Sequence, residues 1–185
     1  EVEVVNYSAG FHPNLTVHAQ VLNMDASVAW QGEARVNSRE DSTEPCMQLE
    51  FPDSLSKVHF IRLRLSEGGN IVSENFYHRS KEENNYQDLK QLPRATLQTQ
   101  AAYHQSDDGS WTAIISITNS SSVPALLIRL NLKGDKDGGQ ILPAFYSDNY
   151  FALMPGEQRE VRIHWQDVDT RGNKPQVEVS GYNVE

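Results

Sequence analysis

The sequence predicts an all-β protein made of two antiparallel β-sandwiches in tandem, and three observations predict it. Apolar residues recur with a period of two rather than 3.6. Clusters of Gly, Pro, Asn, Asp and Ser interrupt these runs at short intervals. The one stretch of helical character is short, polar and central.

The strand candidates follow in order. In "LTVHAQVLN", Leu15, Val17, Ala19 and Val21 share a face, with Thr16, His18 and Gln20 opposite. "HFIRLRLS" sets Ile61, Leu63 and Leu65 inward and Phe60, Arg62 and Arg64 outward. "WTAIISITN" alternates through Trp111, Ala113, Ile115 and Ile117, and "ALLIRLNLK" through Leu126, Ile128, Leu130 and Leu132. "EVRIHW" aligns Val161, Ile163 and Trp165. Such alternation marks strands with one buried and one solvated face, as in antiparallel sheets. The turns between them are "NMDAS", "SEGGN", "SDDGS", "TNSSS", "GDKDGG", "MPGE" and "TRGNK".

Residues 80–93 form the boundary, with a turn or two of helix expected in "KEENNYQDLKQ". About six strand candidates precede it and about six follow, each set enough for one immunoglobulin-like sandwich of ~100 residues. The expected domains are 1–85 and 94–185, with 86–93 as linker. The halves show no detectable sequence repeat.

Composition excludes several function classes. The net charge of −9 comes from 16 basic and 25 acidic residues, and both halves are acidic. Nucleic-acid binding needs clustered Lys and Arg, which are missing from the sequence. No apolar run approaches the ~18–20 residues of a membrane span. The chain opens on Glu1-Val2-Glu3 with no initiator Met and no leader pattern, as part of a longer polypeptide would. Cys46 is the single cysteine, so it forms no intrachain disulfide and reads as a half-buried structural thiol. Asn6-Tyr7-Ser8, Asn14-Leu15-Thr16 and Asn119-Ser120-Ser121 fit the glycosylation sequon.

Chemical constellations are sparse. Asp135 and Asp137 have the alternate spacing of a calcium loop, as do Asp167 and Asp169. An EF-hand loop also needs a glutamate at its twelfth position and flanking helices. Position 146 is Tyr, so a hairpin tip is the better reading of the first loop. The six His show no HxH or HExxH spacing, and no GxSxG elbow, Walker loop or Rossmann glycine pattern is present. No catalytic residue and no cofactor are expected.

Aromatic side chains are the remaining ligand candidates, because a flat ring can lie on the apolar face of a sugar. Trp111 and Trp165 share faces with Ile and Val and are expected in the second core. Trp30, Tyr146 and Tyr150 are the weaker candidates for oligosaccharide binding. The segment "FYSDNYFALMPGE" (145–157) concentrates four aromatics before a Pro155-Gly156 turn. Phe145, Tyr150, Phe151 and Leu153 do not all fit one face of a regular strand. A break at Asp148-Asn149, with the Asx side chains bonded to local backbone, makes this a sheet-switching corner. On that reading the Tyr150 ring is buried and its hydroxyl tied to a local acceptor.

Four blocks, "VVNYSAGFHPNLTVHAQVLNMDASVAW", "SKVHFIRLRLSEGGNIVSENFYHRS", "LPRATL" and "ILPAFYSDNYFALMPGEQREVRI", span nearly the whole chain. In their order and motifs the chain resembles the C-terminal β-sandwich pair of family 2 glycoside hydrolases. The similar branch holds β-mannosidases, exo-β-glucosaminidases and plant-type endo-β-mannosidases. In "NFYHRS", His78 and Arg79 replace that branch's aromatic followed by a small or apolar residue. The resemblance implies a parent enzyme whose two catalytic glutamates lie on a (β/α)₈ barrel outside these residues. It implies non-catalytic modules bracing that barrel, the barrel of the same chain as partner, and a periplasmic or secreted parent as one compartment. An independent pair of carbohydrate- or protein-binding modules is the alternative.

Overall fold

The computed structural model describes residues 1–136 and 138–185 and divides into two compact units, Glu1–Gln91 and Leu92–Glu185. The described residues are all-β, with antiparallel sheets and no α-helix. The polar stretch at the boundary forms a 3₁₀ turn over Gln87–Gln91.

In the first unit the strands are β1 (Val2–Asn6), β2 (His12–Asn23), β3 (Val28–Ser38), β4 (Ser42–Met47), β5 (Val58–Glu67) and β6 (Asn70–Ser80). They form a four-stranded sheet, β3-β2-β5-β6, and a two-stranded sheet, β1-β4. Val2 and Val4 of β1 cluster with Leu15 and Val17 of β2 to make the core between the sheets. The period-two alternation of β2 is the cause, since it delivers Leu15, Val17, Ala19 and Val21 to one face, each 3% exposed or less.

β5 departs from the simple alternation. Phe60 and Arg62, expected on the solvated face, are 0% and 7% exposed. Phe60 packs against Phe76 and His78 of β6, with ring centroids at 5.3 and 5.5 Å. Arg62 Nε donates to Gln20 Oε1 at 3.2 Å. Aromatics on β6 supply a second apolar surface there, which the pattern of β5 alone does not reveal.

Burial of His59 and His78 lowers both pKa values below the ordinary 6.5. In the unfolded chain these rings take up protons at higher pH than in the fold. Their contribution to stability is therefore complete above the unfolded value and is lost as pH falls through the range below it. The urea midpoint is expected to fall between about pH 7.5 and pH 5.5, less steeply in His78→Phe than in the wild type. Parallel pH profiles for the two proteins would contradict this.

Cys46 is half-buried, and its Sγ donates to the Val2 carbonyl at 3.2 Å. Desolvation raises its thiol pKa, with Glu1 and Glu3 adding to the effect. Reaction with Ellman's reagent should therefore be slow in the folded chain and fast in denaturant. Equal rates in the two states would show the thiol to be open.

The second unit holds β7 (Leu97–Gln105), β8 (Ser110–Asn119), β9 (Ala125–Gly134), β10 (Phe145–Tyr146), β11 (Phe151–Leu153), β12 (Gln158–Gln166) and β13 (Pro175–Ser180). A four-stranded sheet, β10-β12-β8-β7, faces a three-stranded sheet, β11-β9-β13. Ile115, Ile117, Ile128, Leu130, Val161 and Ile163 fill the space between them. Trp165 joins this core at 1% exposed. Trp111, expected there too, is only partly buried: it stacks on Trp165 and its Nε1 reaches out to Asp167 Oδ1 at 2.9 Å.

Candidate functional site

The segment 145–157 passes from one sheet of the second unit to the other. Phe145 and Tyr146 pair with His164 and Ile163 in the β12 sheet. Phe151 and Leu153 then pair with Ile128 and Ala125 in the β9 sheet. Between Tyr146 and Phe151 the segment forms no backbone ladder with β9, whose other edge pairs with β13, and side chains take its place. Asn149 Oδ1 accepts the Leu130 N–H at 2.8 Å, while its Nδ2 donates to the Leu130 carbonyl at 3.0 Å. One carboxamide thus presents to Leu130 the donor and acceptor that a neighbouring strand would present. Two residues along β9, the Leu132 N–H donates to the Tyr146 hydroxyl at 3.0 Å.

Asp148 holds the break. Its Oδ1 accepts the Asn149 N–H at 2.8 Å, and its Oδ2 pairs with Arg159 of β12. The Arg159 guanidinium lies 4.8 Å from the centre of the buried Phe151 ring. Past β11 the chain reverses through Met154-Pro155-Gly156-Glu157, closed by Glu157 N–H to Met154 O at 3.0 Å. Gly156 has φ +77°, the left-handed conformation required at the third position of a type II turn.

The four aromatics divide. Phe151 is 7% exposed and Tyr146 is half-buried, whereas Phe145 and Tyr150 are 67% and 61% exposed. The expected burial of Tyr150 is thus corrected. Its φ of +60° turns the side chain out of the corner, and its ring lies 6.0 Å from the Arg129 guanidinium carbon. Sequence alternation does not reveal a left-handed non-glycine residue. Trp30, on β3 of the first unit, is half-buried, and its ring covers Gly32, where a Cβ would meet Cη2 at 2.7 Å. Trp30 belongs to the first unit; within the second, Tyr146 is tied into β9 while Tyr150 is exposed.

The metal candidates are equally plain. Asp135 is exposed, and its Oδ1 accepts the Lys174 N–H at 2.8 Å across a turn. Asp137 lies outside the described residues. Among the described residues no three His, Cys, Asp or Glu side chains are grouped to hold a metal ion.

One cluster in the first unit has the outline of a nucleophile, base and acid. Ser8 Oγ lies 3.2 Å from His12 Nε2, and His12 Nδ1 lies 3.1 Å from Glu67 Oε1. Ser8 Oγ also donates to Asn6 Oδ1 at 2.6 Å, an atom fixed as acceptor by the Ser8 N–H. The hydroxyl proton is directed to Asn6, so Ser8 meets His12 as an acceptor. Activation of a nucleophile requires the reverse. The nearby Gly10 N–H is occupied by the Glu40 carboxylate at 2.9 Å.

Of the polar residues that fix the second unit, the sequence reads Asn119 only as part of a sequon and gives no sign of Asn183. Asn119, 0% exposed, donates to the Val123 and Leu153 carbonyls, and its Oδ1 accepts from Ser121. Asn183, 3% exposed, donates to the Pro93 and Pro124 carbonyls and accepts the Leu126 N–H. The arrangement at 145–157 can join two sheets and display Tyr150; it holds no paired acid and base.

Residues 75–184 match the family described as the exo-β-D-glucosaminidase Ig-fold domain. The exo-β-D-glucosaminidase of Hypocrea jecorina is 28% identical over 207 residues, covering 100% of this chain and 23% of that protein. That of Streptomyces avermitilis is also 28% identical over 207 residues, covering 99% and 23%. The crystal structure of the Amycolatopsis orientalis exo-chitosanase CsxA superposes with TM-score 0.89 at 21% identity, over 98% of this chain and 24% of that one. A β-D-mannosidase from Dictyoglomus thermophilum gives TM-score 0.61 at 15% identity, a likeness of fold alone. The chain thus spans less than a quarter of the curated relatives it matches, and those relatives are glucosaminidases rather than mannosidases.

Proposed function

This chain belongs to the exo-β-D-glucosaminidase Ig-fold domain family, and from that premise we propose that it serves a larger glycosidase as a pair of non-catalytic accessory modules. The parent hydrolyses β-D-glucosaminides on a barrel elsewhere in the same polypeptide, and these modules brace that barrel. The observation that carries the reading is the likeness, along the whole of this chain, to exo-β-D-glucosaminidases of two different organisms in which the matched portion is 23% of the polypeptide. The site geometry agrees: 145–157 spends its polar groups on backbone of its own unit. Retaining hydrolysis needs two carboxyl groups ~5 Å apart across a cleft, one of them protonated. At the corner Asp148 is paired with Arg159, and in the Ser8 cluster Glu67 is paired with His12.

A second role for the corner is favoured by one feature, the exposed Tyr150 ring held in a left-handed conformation beside Arg129. Strained residues persist where the surrounding structure fixes them, often at contact sites. In the parent this ring contacts the barrel or an oligosaccharide.

The test compares two proteins on a chromogenic β-D-glucosaminide. The parent is expected to turn over, and the 185-residue chain alone is not. Turnover by the chain that survives repurification and vanishes on replacing one of its own carboxylates would sink the accessory reading.

A further inference from the structure

The two units differ in one respect that their shared architecture makes conspicuous. The second sets three strands against four, whereas the first sets only two, β1 and β4, against four. β4 occupies one edge of β1, and among the described residues no strand occupies the other. An uncovered edge exposes a row of backbone donors and acceptors that folded proteins normally pair or shield.

The consequence is visible on the facing sheet. Ser73, Asn75 and Tyr77 of β6 stand in register with Leu65, Leu63 and Ile61 of β5, on the core side of the sheet. All three are nonetheless exposed, Tyr77 by 47%. Between them and β1 runs a groove of about 280 Å³ lined by Val2, Val4, Val17, Leu63, Leu65 and Tyr77. It adjoins a second cavity of about 290 Å³ that shares Val4, Val5, Leu65 and Ser73. Ser38 lines that second cavity, is 0% exposed, and leaves its Oγ without a hydrogen-bond partner.

We propose that an extended strand from elsewhere in the parent polypeptide completes the first unit, adding to the free edge of β1 and covering the inner face of β6. The five residues of β1 set its length, about 17 Å at ~3.4 Å per residue. Backbone pairing with β1 supplies affinity, and side chains at alternate positions fill the groove, as in strand addition generally. Those alternate residues are apolar where they meet Val4, Val17, Leu63 and Leu65, and polar where they meet Ser73 and Asn75 of β6.

Two observations choose this occupant over a second copy of the chain. In the relatives more than three quarters of the polypeptide lies outside the matched portion, an abundant source of such a strand in cis. Self-pairing would also bring Glu3 of one β1 against the β1 of another chain of net charge −9. The proposal rests on the reading of this chain as part of a larger glycosidase.

The experiment places benzoylphenylalanine at position 77 of the parent and maps the photo-cross-link by peptide mass spectrometry. Tyr77 is half exposed, so the probe leaves the core undisturbed. Hydrogen exchange of residues 2–6 is measured in parallel on the unmodified parent and on the 185-residue chain. The expected result is a cross-link to a peptide of the same polypeptide outside these residues, with β1 amides exchanging on the order of tenfold slower in the parent. A cross-link within the 185 residues or between copies would overturn the proposal, as would no cross-link with equal exchange. The parent's glucosaminidase activity is read separately. An active parent without the external cross-link defeats only the added strand, whereas an inactive parent defeats the accessory reading.

Discussion

Replacing Trp165 by alanine is expected to destabilise the second unit by about 3–5 kcal/mol, the range for deleting a buried aromatic. The side chain is 1% exposed, lies parallel to Trp111 at 6.2 Å with 4° between planes, and meets Tyr103 edge-on at 6.4 Å. Trp165 and Trp111 are register partners on β12 and β8, so removing one ring strips the inner face of the other. Trp165→Phe should lose much less, because it keeps most of the volume and removes a buried Nε1–H that has no partner. Trp111→Ala should fall between, since its ring is partly solvated and its polar bond is to the surface carboxylate of Asp167. Urea denaturation of the three variants checks the order. A Trp165→Ala midpoint equal to that of the wild type would remove this residue from the core.

Asn149→Ala is expected to destabilise by about 2–4 kcal/mol, although it removes few contacts. It leaves both the N–H and the carbonyl of Leu130 without a partner on the edge of β9 that faces away from β13, where the β11 ladder has not yet begun. Each backbone group orphaned away from water costs about 1–3 kcal/mol, and the partial exposure of Asn149 places the sum below the maximum. Asn149→Asp keeps an acceptor for the N–H but sets a carboxylate against the Leu130 carbonyl, so it should rescue little. Asp148→Ala should cost less, since its pair with Arg159 is between side chains 38% and 23% exposed. Chemical denaturation reads all three, and an Asn149→Ala variant as stable as Asp148→Ala would show that water replaces the carboxamide.

The strands were legible wherever one face is apolar and the other polar. β12 alternates cleanly and its apolar positions are the buried ones, whereas Leu22 in β2 and Trp111 and Ile114 in β8 depart from the rule. Legibility ended where a second layer intervenes. Phe60 and Arg62 are buried by partners on β6 and β2 that no local pattern discloses. It also ended at left-handed residues: Leu127, φ +51°, interrupts the β9 register so that Ala125 and Leu126 are both buried. Polar clamps were hidden behind a more familiar motif. Asn6-Tyr7-Ser8 and Asn119-Ser120-Ser121 fit a glycosylation sequon, yet in both the Asx oxygen accepts the N–H and hydroxyl of the Ser two residues on. Asp25 with Ser27 and Asp108 with Ser110 repeat the arrangement, and these bonds lower both carboxyl pKa values. The recurrence of Asn or Asp two residues before Ser was the available signal.

The corner at 145–157 shows how the same residues suggest different functions. Aromatic density there arises because a strand that changes sheets needs bulky side chains on both sides of its break. Phe151 and Tyr146 face inward from different sheets, and Asn149 takes over the ladder between them. What remains for a partner is the exposed Phe145 and Tyr150, the latter with Arg129 beside it.

On the accessory reading proposed above, these residues support a glycosidase without supplying its chemistry. The most direct measurement is made on the parent enzyme carrying Asn149→Ala: its thermal inactivation midpoint, and its kcat/KM on a β-D-glucosaminide at a temperature where the variant is folded. An accessory role predicts a lowered midpoint with kcat/KM within about twofold of the wild type. An unchanged midpoint with a loss of about tenfold or more, ~1.4 kcal/mol of transition-state stabilisation, would contradict it.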